Sequence, residues 1–320
     1  MISKYAVEVS GLHKSYGKLK VLNNVNFKVP RGEILALLGP NGAGKTTTIR
    51  ILSTLLKADS GSIKVNGFNP VKSGQQVRAS IGLTGQFAAV DEYLTGRENV
   101  ELIGRLYHLE FNEVKERAQL LLEKLDLLDA AERPAKTYSG GMKRRLDLAM
   151  SLVAEPPILF LDEPTTGLDP RSRLGLWEMI AELAKSGTTI LLTTQYMEEA
   201  EYLANNVIVI DQGKVIAEGT VNQLKAKVGG EQVEVVLSDN VSLRKAKKII
   251  GDHASVNETT NTITVSAKEG VKSLTKVLSS LEKAKIKIET ASLRRPTLDD
   301  VFLALTGHNT EDSESSEGSK

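Results

Sequence analysis

The sequence contains no cysteine, which excludes disulfide bonds, thiolate metal ligands and cysteine nucleophiles. Its four histidines are scattered along the chain and lack the spacing of a metal site. Neither sign of charge is in excess, because 41 Lys and Arg stand against 40 Asp and Glu, for a formal net charge of +1. A nucleic-acid-binding protein is usually markedly basic. The sequence therefore predicts neither a histidine metal site nor a nucleic-acid partner.

Long apolar segments are also missing. The longest apolar runs, such as Ile34–Leu38 and Val207–Ile210, have the length of single strands, whereas a membrane-spanning helix needs about 20 apolar residues. The N-terminal segment MISKYAVEVS lacks the apolar core of a signal peptide. We therefore expect an intracellular, soluble chain that reaches a membrane only through a partner. Its 320 residues, 41% of them hydrophobic and 25% charged, are typical of one large or two modest globular domains.

From residue 5 to about residue 219, short apolar runs alternate with longer segments of helical periodicity. Strands separated by helices favour an α/β domain, and continuous apolar strands such as Ile158–Leu161 suit a parallel sheet covered on both faces. The segment Asp91–Lys136 is predicted to be helical, and Val207–Glu218 to form a hairpin that turns at Gln212-Gly213. The other predicted strands are Tyr5–Ser10, Val21–Val29, Glu33–Leu38, Ser80–Thr84 and Thr189–Thr193.

After Gly229-Gly230 the pattern changes to four short strands with two helices among them, followed by a final helix. This order predicts a compact α+β module of the ferredoxin-like kind. The tail Glu311–Lys320 offers no apolar residue to bury and is predicted to be disordered. We accordingly divide the chain into an α/β domain at 5–228 with a helical part at about 88–150, an α+β domain at 229–308, and a tail at 309–320. The predicted elements of the α+β domain are strands at Gln232–Leu237, Ser255–Val256, Thr262–Val265 and Ile286–Glu289 and helices at Val241–Ile250, Val271–Glu282 and Thr297–Leu305.

Residues 39–46 read Gly-Pro-Asn-Gly-Ala-Gly-Lys-Thr and match the phosphate-loop pattern G-x-x-x-x-G-K-[ST]. The apolar strand Glu33–Leu38 precedes the loop, and a predicted helix, Thr47–Leu55, follows it. Glycines allow backbone N–H groups to point inward at phosphate oxygens, and the positive end of the helix adds to this anion site. In such a loop the lysine, Lys45, lies on the β and γ phosphates and the Thr46 hydroxyl binds Mg²⁺.

Two further segments supply chemistry that a phosphate loop needs. The apolar run Ile158–Leu161 leads directly into Asp162 and Glu163, at the end of a strand where parallel sheets bind ligands. Asp162 is suited to hold Mg²⁺, and Glu163 to polarise an attacking water as a general base. The segment Ser139-Gly140-Gly141 precedes a predicted helix and is a second candidate anion site.

In this order the motifs resemble those of the ABC ATPases, over roughly residues 5–220. Gly39–Thr46 resembles the Walker A loop, and Leu159–Glu163 resembles the Walker B strand. Ser139–Gly141 looks like the signature motif, with Tyr138 where leucine is more usual. Three smaller resemblances complete the set: Gln86 to the Q-loop glutamine, which binds Mg²⁺ and contacts the transporter partner, Gly167–Pro170 to the D-loop, and Tyr16 to the aromatic residue that stacks on adenine.

The resemblance implies a P-loop NTPase fold with a helical subdomain, and it implies a role for each residue of the site. ATP would be bound by Tyr16, Gly39, Pro40, Asn41, Gly42, Ala43, Gly44, Lys45, Thr46 and Thr47 of one chain. Ser139, Gly140, Gly141 and Asp169 of a second chain would complete the same site. Mg²⁺ would be held by Thr46, Gln86 and Asp162, while Lys45, Glu163 and Gln195 would be catalytic.

One position departs from the family pattern. The family normally has histidine after the strand that follows the D-loop, where this chain has Gln195. A glutamine amide can reach a γ-phosphate, but it cannot carry a positive charge or shuttle a proton. Two alternatives therefore remain open. Either Glu163 acts as the base while Gln195 orients groups, or the chain is a slow, nucleotide-sensing subunit.

Glutamine at this position resembles the pattern of the daunorubicin-resistance type of drug-exporter ATPase. The segments Thr193–Ala200 and Leu293–Gly307 resemble that type as well. The resemblance implies an active ATPase subunit that forms a head-to-tail homodimer and works with a separate ABC-2 type membrane subunit. It also implies a peripheral position on the cytoplasmic face of the membrane, with Tyr93–Arg117 contacting the membrane subunit. Export of lipid or polysaccharide remains an alternative. An importer or a non-transport ABC protein fits less well, because of the C-terminal module, Gln195 and the single set of motifs.

Overall fold

The computed structural model describes residues 3–228, 231–238, 240–251, 254–267 and 269–306. The predicted tail at 309–320 and the Gly229-Gly230 junction lie outside the described residues. The chain divides into two compact units, Met1–Val221 and Asn222–Lys320. Within the described ranges, no helix is both long enough and apolar enough to cross a membrane.

The first unit alternates strands and helices, as the sequence pattern predicts. Short 3₁₀ turns at Leu128–Ala130 and Ala135–Thr137 lie between its fourth and fifth helices. Its elements are β1 (Tyr5–Tyr16), β2 (Leu19–Pro30), β3 (Ile34–Leu38), α1 (Lys45–Leu52), β4 (Ser60–Val65), α2 (Gly74–Ala79), β5 (Ile81–Thr84), α3 (Gly96–Leu106), α4 (Phe111–Lys124), α5 (Gly140–Leu152), β6 (Ile158–Asp162), α6 (Pro170–Lys185), β7 (Thr189–Thr194), α7 (Met197–Leu203), β8 (Asn206–Asp211) and β9 (Lys214–Gly219).

The principal sheet has six strands in the order β5-β6-β7-β3-β8-β9. Neighbouring strands from β5 to β8 are parallel, so their carboxyl ends lie along one edge. Every residue of β3 and β6 is buried, which is why these segments are almost continuously apolar. β9 returns antiparallel to β8, through Gln212 and Gly213 with φ angles of 45° and 74°. These positive angles are those of a two-residue hairpin turn, and the predicted hairpin is confirmed.

A second sheet is antiparallel and has the order β2-β1-β4. β1 extends beyond its predicted end to Tyr16, because irregular register around Leu12 allows pairing with β2 to continue. The strand β4 was not predicted from the sequence. Only Ile63 and Val65 of that strand are buried, so its apolar signal is too weak to separate a strand from a loop.

The helices α3, α4 and α5 pack on one another. α3 and α4 lie within the predicted helical segment Asp91–Lys136, and α5 is the helix predicted to follow Ser139–Gly141. A capping box begins α3, since the Thr95 hydroxyl accepts from the Glu98 amide and the Glu98 carboxylate accepts from the Thr95 amide. Ser139 caps α5, where its hydroxyl accepts from the Met142 amide at 3.3 Å. These caps fix where the helices begin, and the second places Ser139–Gly141 at a helix N-terminus.

The second unit contains an antiparallel sheet in the order β11-β12-β10-β13, with α9 and α10 packed on it and on each other. This strand order, with a helix after the first and third strands, is that of the predicted ferredoxin-like α+β fold. The last strand lies later than predicted, because Ile286 is buried in the core and pairing with β10 begins at Ile288. The elements are α8 (Val221–Val228), β10 (Gln232–Leu237), α9 (Asn240–Ile250), β11 (Ser255–Asn257), β12 (Thr262–Ser266), α10 (Val271–Lys283), β13 (Ile288–Arg294) and α11 (Leu298–Thr306).

Candidate nucleotide site

The predicted phosphate loop connects β3 to α1 at the carboxyl edge of the principal sheet. Gly42 and Gly44 have φ angles of 78° and 104°, a region that residues with a Cβ rarely adopt. A Cβ at Gly39 would lie 2.1 Å from the Ile210 carbonyl oxygen, so only glycine fits there. No side chain caps α1, which leaves the first N–H groups of the helix available to an anion.

Lys45 points into this loop and is almost fully buried, with 3% of its surface exposed. Its ammonium donates to the carbonyl oxygens of Gly39 at 2.8 Å and Pro40 at 3.0 Å, and lies 3.2 Å from Glu163 Oε1. Burial lowers the pKa of Lys45, while the neighbouring Glu163 and Asp162 carboxylates act in the opposite direction. The loop, the lysine and the carboxylate thus meet in one buried place.

Asp162 ends β6 and faces the start of α1. Its Oδ1 atom accepts hydrogen bonds from the Thr46 hydroxyl at 3.1 Å and from the Thr193 hydroxyl at 2.6 Å. Thr193 lies opposite Asp162 in the β6–β7 register, so the parallel pairing itself fixes this contact. A carboxylate and hydroxyl oxygens are ligands that Mg²⁺ prefers, usually with water in its remaining positions.

Glu163 follows directly with a φ of 49°, in the left-handed region that costs energy for a residue with a side chain. Its amide donates to the Thr193 carbonyl at 3.1 Å and to the Thr193 hydroxyl at 3.0 Å. Its Oε2 atom accepts from the Thr166 hydroxyl at 3.4 Å and lies 3.5 Å from Gln86 Nε2. The predicted base and the predicted Q-loop glutamine are therefore brought together.

Gln195 comes directly after β7, half-buried at the same carboxyl edge. The Thr194 carbonyl before it accepts from the Gly39 amide at 3.2 Å, which places this segment beside the phosphate loop. Tyr16 lies at the end of the β1–β2 hairpin, opposite Leu19. It is 47% exposed, and the Lys14 ammonium lies 5.7 Å from the centre of its ring. An exposed aromatic face of this kind is available for stacking.

Ser139–Gly141 and Asp169 form a separate group at the N-termini of α5 and α6. Asp169 accepts from the amide and the hydroxyl of Ser172 at 3.0 and 2.6 Å, and the bond from the Ser172 side chain is the largest of the causes that lower the pKa of Asp169. A Cβ at Gly141 would lie 2.7 Å from Ser172 Oγ, so these two helix starts touch. Among the hydrogen bonds of the described residues, none joins this group to the phosphate loop of the same chain.

No role was predicted from the sequence for Thr193, Arg144 or Glu199, although each is buried and bonded to site segments. The Glu199 Oε1 atom accepts from the Thr165 hydroxyl at 2.8 Å and from the Trp177 indole at 2.9 Å. It thereby ties α7, which follows Gln195, to the segment after Glu163. Short polar residues beside motifs give no local signal for such contacts. Arg144 lies three residues after Gly141, and its closeness to that motif is the one signal that the sequence offered.

Together, the parallel sheet, the phosphate loop at its carboxyl edge and the adjoining Asp162 and Glu163 define an α/β protein of the P-loop nucleotide-binding class. A family model described as ABC transporter matches residues 22–166. A second model, described as the C-terminal domain of DrrA1-3-like ATP-binding proteins, matches residues 219–306.

Relatives and solved structures agree with both models. The daunorubicin resistance ATP-binding protein DrrA2 of Streptomyces coeruleorubidus is 49% identical over 98% of this chain and 98% of its own length. The doxorubicin resistance ATP-binding protein DrrA of Mycobacterium tuberculosis is 46% identical over 96% of this chain and 95% of its own. An ATP-binding subunit of an ABC transporter has a TM-score of 0.63 at 32% identity, covering 69% of this chain and 92% of that chain.

The chain therefore belongs to the ABC transporter family, among the ATP-binding proteins of the DrrA type. The chain binds ATP and is an ATPase, and its hydrolysis of ATP is coupled to transport. The predicted P-loop NTPase fold and family are confirmed.

Glu199 leads to a prediction about stability and pH. Burial raises the pKa of its carboxyl above the ordinary 4.5, while hydrogen bonds from Thr194, Thr165 and Trp177 act the other way. Between pH 4.5 and the raised pKa, the folded state keeps a proton on Glu199 that the unfolded state releases. The free energy of unfolding therefore falls as the pH rises through this range. Glu199→Gln cannot ionise and should lack this slope. Urea unfolding from about pH 5 to about pH 8 measures the difference.

The exposed neighbour Glu198 supplies the control, because Glu198→Gln should follow the pH profile of the unchanged protein. Parallel profiles for the unchanged protein and Glu199→Gln would contradict the prediction.

Proposed function

We propose that this chain powers the export of hydrophobic drugs by ATP-driven dimerisation, as a homodimer bound to a separate ABC-2 type membrane subunit. The proposal depends on one observation: the side chains of Lys45, Asp162 and Glu163 are buried together at the phosphate loop. The drug class is supported by the full-length similarity to proteins named for daunorubicin and doxorubicin resistance.

Each site residue would act as its environment allows. In the proposed cycle Lys45 exchanges its carbonyl contacts for phosphate oxygens, and backbone N–H groups of the segment Gly42–Thr47 surround the phosphates. Thr46, Asp162 and Gln86 would hold Mg²⁺, which when bound neutralises phosphate charge. Glu163, released from Lys45 by ATP, would polarise the attacking water, and Gln195 would orient the γ-phosphate. Tyr16 would stack on the adenine.

The dimer is proposed because the Ser139–Gly141 segment and Asp169 lie apart from the phosphate loop in one chain. Two copies related by a two-fold axis could each place these helix starts on the nucleotide of the other, which closes the assembly. A solved relative with 26% identity and a TM-score of 0.61, covering 67% of this chain and 98% of that chain, is an ATP-binding cassette in dimeric form with ADP and Pi. That similarity supports the dimer.

Contact with the membrane subunit is proposed for Tyr93–Arg117, on the cytoplasmic face of the membrane. Within and beside this segment, Tyr93 is 86%, Leu106 65% and Phe87 85% exposed. A cleft of about 290 Å³ adjoins it and is lined by Leu55, Leu83, Ala89, Ile103, Tyr107 and Asp147, among others. Exposed apolar side chains around a cleft are typical of a protein interface.

We assign the ATPase role to the domain at 5–228, including its helical part at about 88–150, and treat 229–308 as a separate domain.

Drug export is tested by co-expressing the chain with an ABC-2 type membrane protein as its candidate partner in a daunorubicin-sensitive host. Cells that contain both proteins should accumulate less daunorubicin than cells with either protein alone, and Glu163→Gln should remove the difference. Unchanged accumulation, despite ATPase activity of the purified pair, would overturn the drug assignment. It would favour the alternative of lipid or polysaccharide export. Similarity to exporters of other compounds also exists, since a Nod factor export ATP-binding protein of Paraburkholderia xenovorans is 38% identical over 96% of this chain and 99% of its own.

Gln195 occupies the position where the family normally has histidine, and Gln195→His examines its role. If Glu163 is the base and Gln195 only orients groups, the variant should keep ATPase turnover within about tenfold of the unchanged protein, or about 1.4 kcal/mol. Steady-state phosphate release with saturating ATP measures this. Complete loss of turnover would show that Gln195 has a role that an imidazole cannot fill.

A further inference from the structure

Arg144 lies in α5, in the turn after Ser139–Gly141, and only 7% of its surface is exposed. A guanidinium presents five N–H donors in a rigid fork, and here the fork is used on backbone carbonyls rather than on solvent. Arg144 donates to the carbonyl oxygens of Gly85 at 2.5 Å, Pro164 at 2.7 Å, Asp162 at 3.1 Å and Glu163 at 3.2 Å. One buried side chain therefore joins α5 to the segment before Gln86 and to the turn that contains the proposed base.

The turn at Glu163 needs such support. Its φ of 49° is a conformation that persists for a non-glycine residue only where the surroundings fix it. Thr193 fixes the amide of Glu163 from the β7 side. Arg144 fixes the carbonyls of Asp162, Glu163 and Pro164 from the α5 side. The direction of the Glu163 carboxylate depends on both.

Asp147 completes this arrangement from the next turn of α5. Its Oδ2 atom lies 3.4 Å from Arg144 Nη1, and its Oδ1 atom accepts from the Ala89 amide at 3.0 Å. Burial raises the pKa of Asp147 to about 6, while the Ala89 bond and Arg144 lower it. Asp147 thus lies beside the buried guanidinium of Arg144 as its ion-pair partner. Gln86 lies on a loop that is hydrogen-bonded to α5 through Gly85 and Ala89.

We propose that Arg144 and Asp147 are positioning residues, which hold the Glu163 turn and the Gln86 loop in a fixed relation to the N-terminus of α5. The inference rests on the proposed function, because it concerns the same site. In the proposed dimer, that N-terminus contacts the nucleotide of the other chain. Engagement of Ser139–Gly141 with that nucleotide is then transmitted through Arg144 to Glu163 of the same chain, so that the base at one nucleotide is aligned when the other nucleotide site has been closed.

The pair acts on turnover and not on ATP affinity. No hydrogen bond among the described residues connects Arg144 or Asp147 to the phosphate loop, Gly39–Thr47. Loss of Arg144 therefore leaves the phosphate cradle in place and misaligns Glu163. A loss of general stability alone would lower activity only in proportion to the unfolded fraction.

The test compares Arg144→Gln with Arg145→Gln in the full chain. Arg145 is the matched control, because its guanidinium also bonds backbone carbonyls, those of Leu125 and Asp126, but reaches no site segment. Arg144→Gln should lower kcat by about tenfold or more while KM for ATP stays within about threefold. Arg145→Gln should change neither value beyond about twofold.

Hydrogen exchange gives a second readout that needs no activity. Arg144→Gln and Asp147→Asn should raise amide exchange in residues 84–90 and 162–166, while exchange in β3 and α1 stays unchanged. Arg145→Gln should leave all of these segments unchanged. If Arg144→Gln fails to fold, Arg144→Lys takes its place in the test. This variant keeps the buried charge but has a single ammonium in place of the fork, so its kcat should still be lower by about threefold.

Three outcomes would overturn the proposal: kcat unchanged in folded Arg144→Gln or Arg144→Lys, an equal loss of kcat in Arg145→Gln, or a rise in KM with kcat preserved. Failure of the proposed function looks different, because the unchanged protein would then show no ATPase activity or no drug efflux. Even in that case the exchange pattern decides whether Arg144 and Asp147 hold these loops.

Discussion

Glu163→Gln is expected to lower ATPase turnover by about 100-fold or more, the usual contribution of a positioned general base. Glutamine has nearly the same shape as glutamate, and its amide oxygen can still accept from Lys45 or Thr166, which lie 3.2 Å and 3.4 Å from the carboxylate. The variant should therefore fold and bind ATP but lack the group that accepts a proton. Phosphate release at saturating ATP, together with the Kd for a fluorescent ATP analogue, measures the two effects separately.

The same variant should accumulate as an ATP-bound dimer, because closure of the proposed dimer needs ATP and its release needs hydrolysis. Gel filtration with ATP and Mg²⁺ should show a dimer for Glu163→Gln. Glu178→Gln, an exposed change on α6, should behave as the unchanged protein in every assay. A purely monomeric Glu163→Gln with ATP present would count against the proposed dimer, and full turnover would count against Glu163 as the base.

Lys45→Ala is expected to weaken ATP binding by about 100-fold or more, equivalent to about 2.8 kcal/mol. The side chain is 3% exposed, and its ammonium is the cation nearest to where the phosphates would lie in the loop. Its removal also leaves the buried Glu163 carboxylate without its ion-pair partner, so thermal stability should fall as well. Titration of a fluorescent ATP analogue, followed by a thermal melt without nucleotide, measures both effects.

Lys72→Ala is the control for this change, because Lys72 is an exposed lysine outside the site. It should leave the Kd for the analogue and the melting temperature unchanged. If Lys45→Ala binds the analogue within about threefold of the unchanged protein, Lys45 does not lie on the phosphates, and the buried ion pair with Glu163 has only a structural role.

The phosphate loop could be predicted from the sequence because its geometry is local. Glycines permit the φ angles of 78° at Gly42 and 104° at Gly44, and the preceding apolar strand is long enough to be recognised. The hairpin at Gln212-Gly213 and the caps of α3 and α5 are local in the same sense. The order of motifs resembled one family closely enough to predict the fold, and the comparisons confirmed it.

Weakly patterned segments were not predictable in this way. β4 buries only alternate residues near one end, and it forms because β1 offers it a pairing partner. The shift of β13 likewise follows from pairing with β10. In both cases the strand is selected by its neighbour in the sheet, which local sequence does not specify.

The sequence by itself determined the nucleotide loop, the acidic pair at Asp162 and Glu163 and the departure at Gln195, since each of these depends on residues close together in the chain. It also determined the family, through the order in which such local motifs follow one another. Only the tertiary structure decided how they are held. The parallel register of β6 and β7 places Thr193 against Asp162, and the fold brings Arg144 to Gly85, separated from it by 59 positions in sequence. Such contacts depend on the packing of distant segments, for which a single sequence contains no local signal.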